Sequence, residues 1–374
     1  MRAYIRSLAE LDGSDLRAWS ELASQALSPN PFLEPEFVLP AARRAWRLDD
    51  VGVLTVRDGS DWLAALPVRS VRAWRGVPGR CLAAWRHTYC YLGTPLVRGE
   101  DSETILATLL RAGLGQADSF VLDWIDGTGP LAESLTAALA AQSRMVLVEE
   151  FERAALYRRS GNGDAGLAQL VSSRSRRSYG RKLRLLEREV GEVTIRDRSA
   201  DASAYQRFLE LERSGWRGEW GTAMACRPGH AEFFADFCAR FADKGRLRLL
   251  SLESEQQTLA MKTDLVAGDS IFFFKPVFNE QFGRFSPGMQ LELANIEGFY
   301  AGDWTMFDAC TAPENQMYNK LWSGRRRLRS VVAVRRGAAG AVSYAKWRAA
   351  VAVRPLKHKV LAAARPQHRQ SGAV

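Results

Sequence analysis

The clearest hydrophobic pattern in the chain lies at Ile271–Tyr300. Four large apolar residues, Ile271 to Phe274, predict a strand buried on both faces. A polar connection from Asn279 to Arg284 follows, and then Ser286-Pro287-Gly288 reads as a helix start, with Ser286 as N-cap and Pro287 at the first helical position. Met289, Leu293, Ile296 and Tyr300 recur at helical spacing. The first amides of such a helix lack internal partners and its dipole favours negative charge, so a strand running into this helix start is a candidate anion site.

The same reading along the chain alternates helices and strands, which predicts an α/β fold. Residues 13–27 read as a helix, closed by Ser28-Pro29-Asn30-Pro31. Residues 48–69 read as a hairpin turning at Asp58–Asp61, and 73–81 as loop. Helix 102–114, strand 119–124, helix 131–142 and a strand beginning at 145–148 complete a first half. Residues 159–166 form a small, polar linker, and 167–190 an arginine-rich helix with Leu183 and Leu186 beneath. A charge run of this kind ordinarily faces solvent; the sharper alternative is a clamp on a phosphate-bearing substrate. The second half repeats the order: strand 193–196, helix 202–214, a Gly- and Trp-rich loop 216–227, helix 230–242, hairpin 246–266, the strand and helix described first, and strand 305–308. The echo is architectural, with no alignable repeat.

Composition narrows the classes. No apolar run approaches bilayer length, and no leader pattern opens the chain. Five scattered cysteines and four histidines suggest neither a disulfide framework nor a metal site, and a cytoplasmic location is expected. The net charge is +10, but residues 323–374 carry thirteen Lys or Arg and no Asp or Glu, so the remainder stands near −3. Basicity belongs to the tail, where 344–359 is partly amphipathic and interrupted by Pro355. Such a segment suits an anionic membrane surface or a nucleic acid; the plainer reading is a disordered tail.

The order of elements resembles a GNAT acyltransferase domain. The words FLELERSGWRG (208–218), PGHAEFF (228–234), FGRFSPG (282–288) and FDACTAPENQMYNKLW (307–322), with NPFLEPEF (30–37) as a weaker counterpart, resemble the CelD-like (cellulose biosynthesis protein type) branch of that superfamily. This branch is similar to the FemABX peptidyltransferases in having two GNAT-like halves. The resemblance implies two tandem GNAT-like domains, each a mixed central sheet flanked by helices: 1–158, a basic linker and helix at 159–192, a probable active domain at 193–336 and a basic tail at 337–374. It also implies an acyl-CoA donor whose pyrophosphate would meet Arg284, Ser286, Gly288 and Met289. Pro287 has no N–H to offer there, and the motif has one glycine where the family pattern has two, so aminoacyl-tRNA is the alternative donor.

Acyl transfer to an amine needs a base, oxyanion donors and a proton for the leaving thiolate. Asp308, at the end of a predicted strand, is the candidate base or amine anchor, with helix capping as the plainer role. Lys275 would hold a carboxylate, phosphate or oxyanion, and Tyr318 would protonate or pack. Glu212, Trp216 (with Trp220), Asn279 and Lys320 are candidate substrate contacts, and His230 is read chiefly as a helix opener. The function expected is N-acyl transfer to an amine on a sugar, amino acid or envelope precursor, on a cytoplasmic protein that is soluble or peripheral on the inner membrane. An aminoacyl-tRNA-dependent ligase and a non-catalytic membrane-associated scaffold of a polysaccharide machine are the alternatives.

Overall fold

The computed structural model describes residues 1–158 and 167–364; the polar linker at 159–166 and the end of the basic tail lie outside the described residues. In chain order the strands are β1 (Arg2–Ser7), β2 (Gly52–Asp58), β3 (Asp61–Trp74), β4 (Val77–Ala84), β5 (Leu96–Val97), β6 (Ser119–Asp126) and β7 (Arg144–Tyr157). They continue with β8 (Thr194–Asp197), β9 (Leu247–Glu253), β10 (Thr258–Ala267), β11 (Ser270–Phe278), β12 (Met306–Asp308) and β13 (Gly324–Val334). Among the described residues they form one mixed sheet in the order β1-β2-β3-β4-β6-β13-β7-β12-β11-β10-β9-β8, with β5 paired to β3. The α/β class expected from the pattern is observed, and the sheets of the two halves join edge to edge into one.

The join is an exchange. β7, the last strand of the first half, pairs with β12 and β13 of the second. β13, the last strand of the second half, pairs with β6 of the first. Each half has one parallel step near its middle, β4 with β6 and β11 with β12, and each step is only three residue pairs long. Four central strands are tied by buried charge. Asp308 on β12 takes both oxygens to Arg153 on β7 at 2.7 Å and one to Arg326 on β13 at 2.8 Å. Arg326 also reaches Asp126 on β6 at 2.8 Å.

Several stretches differ from the sequence reading. Residues 73–81, expected as loop, are a hairpin between β3 and β4 that turns through Arg75 and Gly76, both at positive φ (47° and 81°). This is the backbone that a tight two-residue turn between right-twisted strands requires. The strand expected to begin at 145–148, with no end marked by its pattern, is present as β7 and runs to Tyr157. The tail folds as a helix, Ala338–Ala364, which passes through Pro355 where a break was expected. Trp347 of that helix is buried against the sheet, lies tilted against Trp74 at 5.8 Å and donates from Nε1 to Ser119 Oγ at 3.0 Å. The first part of the tail is therefore a packed layer over Val121, Val146, Val332 and Val334.

Candidate active site at the junction of the halves

The site is built around the free end of β11. Beyond Phe272 this strand has no pairing with β12, so the two part. Opposite, β10 pairs Thr263 with Lys275 and Asp264 with Phe273, which leaves Phe274 as an extra residue in β11. Such a bulge breaks the two-residue alternation and re-aims the side chain after it. Phe273 faces Tyr318 and Lys262. Phe274 packs on Phe37, Phe237 and Tyr89. Lys275 turns to this second face, where Nζ lies 2.5 Å from Glu212 Oε1 and 5.4 Å from the centre of the Tyr89 ring.

Glu212 is buried near the end of helix Ala202–Ser214, and its other oxygen accepts from the Met224 amide at 2.8 Å. It thus ties the Trp-rich loop to the strand and holds the ammonium group of Lys275. Burial lowers the Lys275 pKa despite this carboxylate, and Arg217 and Arg227 add to the effect. Tyr89 Oη stands 3.1 Å from His230 Nδ1. Burial, then Arg227 and Lys275, hold His230 below its ordinary value, so it is a neutral imidazole near pH 7. Burial pushes the Tyr89 phenol up to about 12. The result is a neutral ring nitrogen, a phenol, an ammonium and a carboxylate converging at one junction.

The first half supplies Tyr89 because its own cleft is closed. Where β4 ends and β6 runs on, the segment 85–95 lies in the gap, and Gly93 packs so tightly that a Cβ there would stand 2.1 Å from the Asp123 carbonyl oxygen. Gly93 also donates to the Trp124 carbonyl, and Arg86 reaches Asp123 at 2.9 Å. The segment that fills one cleft delivers Tyr89 and Tyr91 to the other. Neither tyrosine was marked from sequence, since nothing local signals a contact 141 residues away.

Other candidates fall elsewhere. Asp308 is fully buried, and although burial would raise its pKa, Arg153 and Arg326 outweigh that and hold it below the usual range. A carboxylate saturated by two guanidinium groups does not accept a substrate proton, so its role is to clamp strands. Tyr318 is buried with its hydroxyl 3.4 Å from Glu292 Oε2, and burial and Glu292 push its pKa well up. Glu292 also accepts from Trp322 Nε1 at 3.1 Å and pairs with Lys262, so Tyr318 belongs to a core polar cluster. Asn279 caps the short turn Glu280–Phe285 by accepting from the Gln281 amide. Lys320 is exposed on the short helix Gln316–Leu321, and Trp216 is 38% exposed.

The expected anion cradle is also rebuilt. Ser286 is left-handed (φ 56°) and makes no side-chain cap; its hydroxyl instead accepts from Lys182 Nζ at 2.8 Å. The amides of Met289 and Gln290 already donate to the Ser286 carbonyl, and Pro287 has none. The first turn of helix Pro287–Ala301 therefore offers the Gly288 amide, beside the charge of Lys182. Arg284 is exposed and bonded to Glu189 at 2.6 Å. Among the described residues no group of three or more His, Cys, Asp or Glu is placed to hold a metal ion.

Residues 173–320 match the family model described as an acetyltransferase (GNAT) domain. No curated protein matches the sequence. Among solved structures the fold is similar to FemX (11% identity, covering 89% of this chain and 97% of that one, TM-score 0.56). It is similar too to the C-terminal domain of a putative lysylphosphatidylglycerol synthetase from Agrobacterium fabrum (14%, 89% and 95%, 0.54). L-PGS from Bacillus licheniformis gives 13% identity, 90% and 96% coverage and a TM-score of 0.51. At these identities the likeness is one of fold. Residues 173–320 thus carry a GNAT-type acetyltransferase domain, and the fold of the chain is similar to that of FemX. The match of the family model begins at Ser173 and ends just beyond Tyr318, so it takes in the arginine-rich helix, the bulged strand and the helix start at Pro287.

Proposed function

We propose that the chain is an N-acyltransferase that passes an acyl group from acyl-CoA to a primary amine on a sugar, amino acid or envelope precursor. The observation that carries this reading is the neutral His230 beside Tyr89, facing the Lys275–Glu212 pair at the bulged end of β11, where it has parted from β12. The amine nitrogen attacks the thioester carbonyl carbon, the carbon–sulfur bond breaks and the thiolate leaves. His230 takes the amine proton, directly or through the Tyr89 phenol, and returns it to the thiolate. Lys275 meets the negative charge that develops on the carbonyl oxygen, with Glu212 fixing its position. Lys182 and the Gly288 amide receive donor phosphate, with Arg284 nearby.

The words at 208–218, 228–234, 282–288 and 307–322 support a CelD-like acceptor in polysaccharide or envelope assembly. The scarcity of free amides at Pro287 and the FemX-like fold favour, as the second reading, an aminoacyl-tRNA donor. Calorimetric titration with CoA and thiol release from acetyl-CoA over a panel of amines test the first. Saturable CoA binding that weakens in Lys182→Ala is expected. CoA binding that is absent, with charged tRNA bound instead, overturns acyl-CoA as the donor and selects the second reading.

A further inference from the structure

Helix Ser173–Val190 carries Arg174, Arg177, Arg181, Arg184 and Arg188 at spacings of three and four, which sets them in one stripe. At 1.5 Å per residue the stripe is about 21 Å long. All five are exposed, and none makes an ion pair with a described residue. Like charges at this spacing repel at every turn, so the stripe is held together at a cost that a counter-charge would remove. The helix stays in place through its other face. Leu186 is buried, Lys182 reaches Ser286, and Glu189 holds Arg284. On the outer face, Gly180 leaves a dent flanked by Arg176, Arg177, Arg181 and Arg184, part of an open concavity of about 610 Å³.

One exposed apolar side chain lies on the same helix, Leu185, which is 40% exposed. Guanidinium groups without a counter-charge are what an anionic bilayer surface attracts, charge to phosphate.

We propose that the arginine stripe of helix Ser173–Val190 docks on an anionic membrane surface through lipid phosphates. A single-stranded nucleic acid would use the same residue types, but tracking a strand calls for a groove. Every residue around the concavity comes from this one helix, so among the described residues no second element walls the stripe in, and an open, shallow face suits a plane. The inference is independent of the acyl-transfer reading. It also moves membrane contact away from the tail, whose first helix is packed on the sheet.

The test is co-sedimentation of the full chain with phosphatidylglycerol-containing vesicles and with phosphatidylcholine vesicles. An arginine near a charged surface is worth roughly fivefold in partitioning, so R177Q/R181Q/R184Q is expected to bind phosphatidylglycerol vesicles about a hundredfold more weakly. Its thermal midpoint should not fall, because repulsion along the stripe is relieved, and its thiol release from acetyl-CoA should be unchanged, which separates this outcome from misfolding and from failure of the catalytic reading. Binding of the native chain to phosphatidylglycerol vesicles is expected to weaken as salt is added. Equal binding of the native chain to both vesicle types, or native-level binding by the triple variant, overturns the proposal. So does displacement from vesicles by single-stranded RNA at a phosphate concentration below that of the lipid, which would assign the stripe to nucleic acid.

Discussion

Asp308 offers the sharpest separation of structural and catalytic roles, because the sequence presents it as a base and the structure as a clamp. In Asp308→Asn the guanidinium groups of Arg153 and Arg326 keep their charge; Arg153, fully buried, is left without a carboxylate, while Arg326 retains Asp126. Removing one member of a buried ion pair costs about 3–5 kcal/mol, because the remaining charge is stranded. With roughly 2.1 cal/mol/K of unfolding entropy per residue, a chain of this length should lose about 4–6 °C in its unfolding midpoint. The pH dependence has a fixed sign. The folded-state pKa of Asp308 is depressed, so the unfolded chain binds the proton more readily. The contribution is whole above the unfolded carboxyl pKa, near 4, and is lost as pH falls from there through the folded value. The native protein should therefore lose stability in that acid window, and Asp308→Asn should be flatter across it. Differential scanning calorimetry from neutral to acid pH measures both, alongside kcat below the midpoint. An unchanged midpoint with kcat reduced several-hundredfold would refute the clamp and restore the base.

Three further outcomes follow from the geometry. His230→Gln should lower kcat by about 10²–10⁴. Native kcat/KM should rise to a plateau with a midpoint below 6.5, because burial, Arg227 and Lys275 favour the neutral ring; a midpoint above 7 would contradict that assignment. Lys182→Ala should raise the donor KM roughly tenfold, the scale of one charged hydrogen bond, with kcat little changed in steady-state assays. Trp347→Ala empties a buried site worth about 3–5 kcal/mol, and limited proteolysis should then cut within Ala338–Ala364 while the rest of the chain stays intact.

The alternation of elements was legible because apolar runs such as Ile271–Phe274 are buried as their pattern requires. The end of β7 was not. A strand can be read to begin at 145–148 but is given no end, because Glu149, Glu150, Glu152 and Arg153 show no apolar pattern of their own. Their partners are on β13, where Arg327 stands opposite Glu152 and Arg329 opposite Glu150. Complementary charge on two strands becomes strand sequence only once the register is known. Lys275 was marked as a residue to hold a carboxylate, phosphate or oxyanion, and Glu212 was marked apart from it; what the sequence hid was that a one-residue bulge turns one toward the other. Ser286 misled for a local reason. Ser-Pro-Gly is a common helix opening, but the preceding turn Glu280–Phe285 enters it through a left-handed residue, which swings the hydroxyl away from the helix amides and toward Lys182.

The exchanged last strands have a consequence for how the chain is made. While residues 1–158 emerge from the ribosome, β6 and β7 exist but the strand that belongs between them does not. The edge of β6, with Phe120, Val121 and Leu122, stays open until Val334 has been synthesised. An open, apolar strand edge invites pairing with another chain. Expressed alone, the first half should self-associate, and supplying 167–364 as a separate fragment during refolding should cap it.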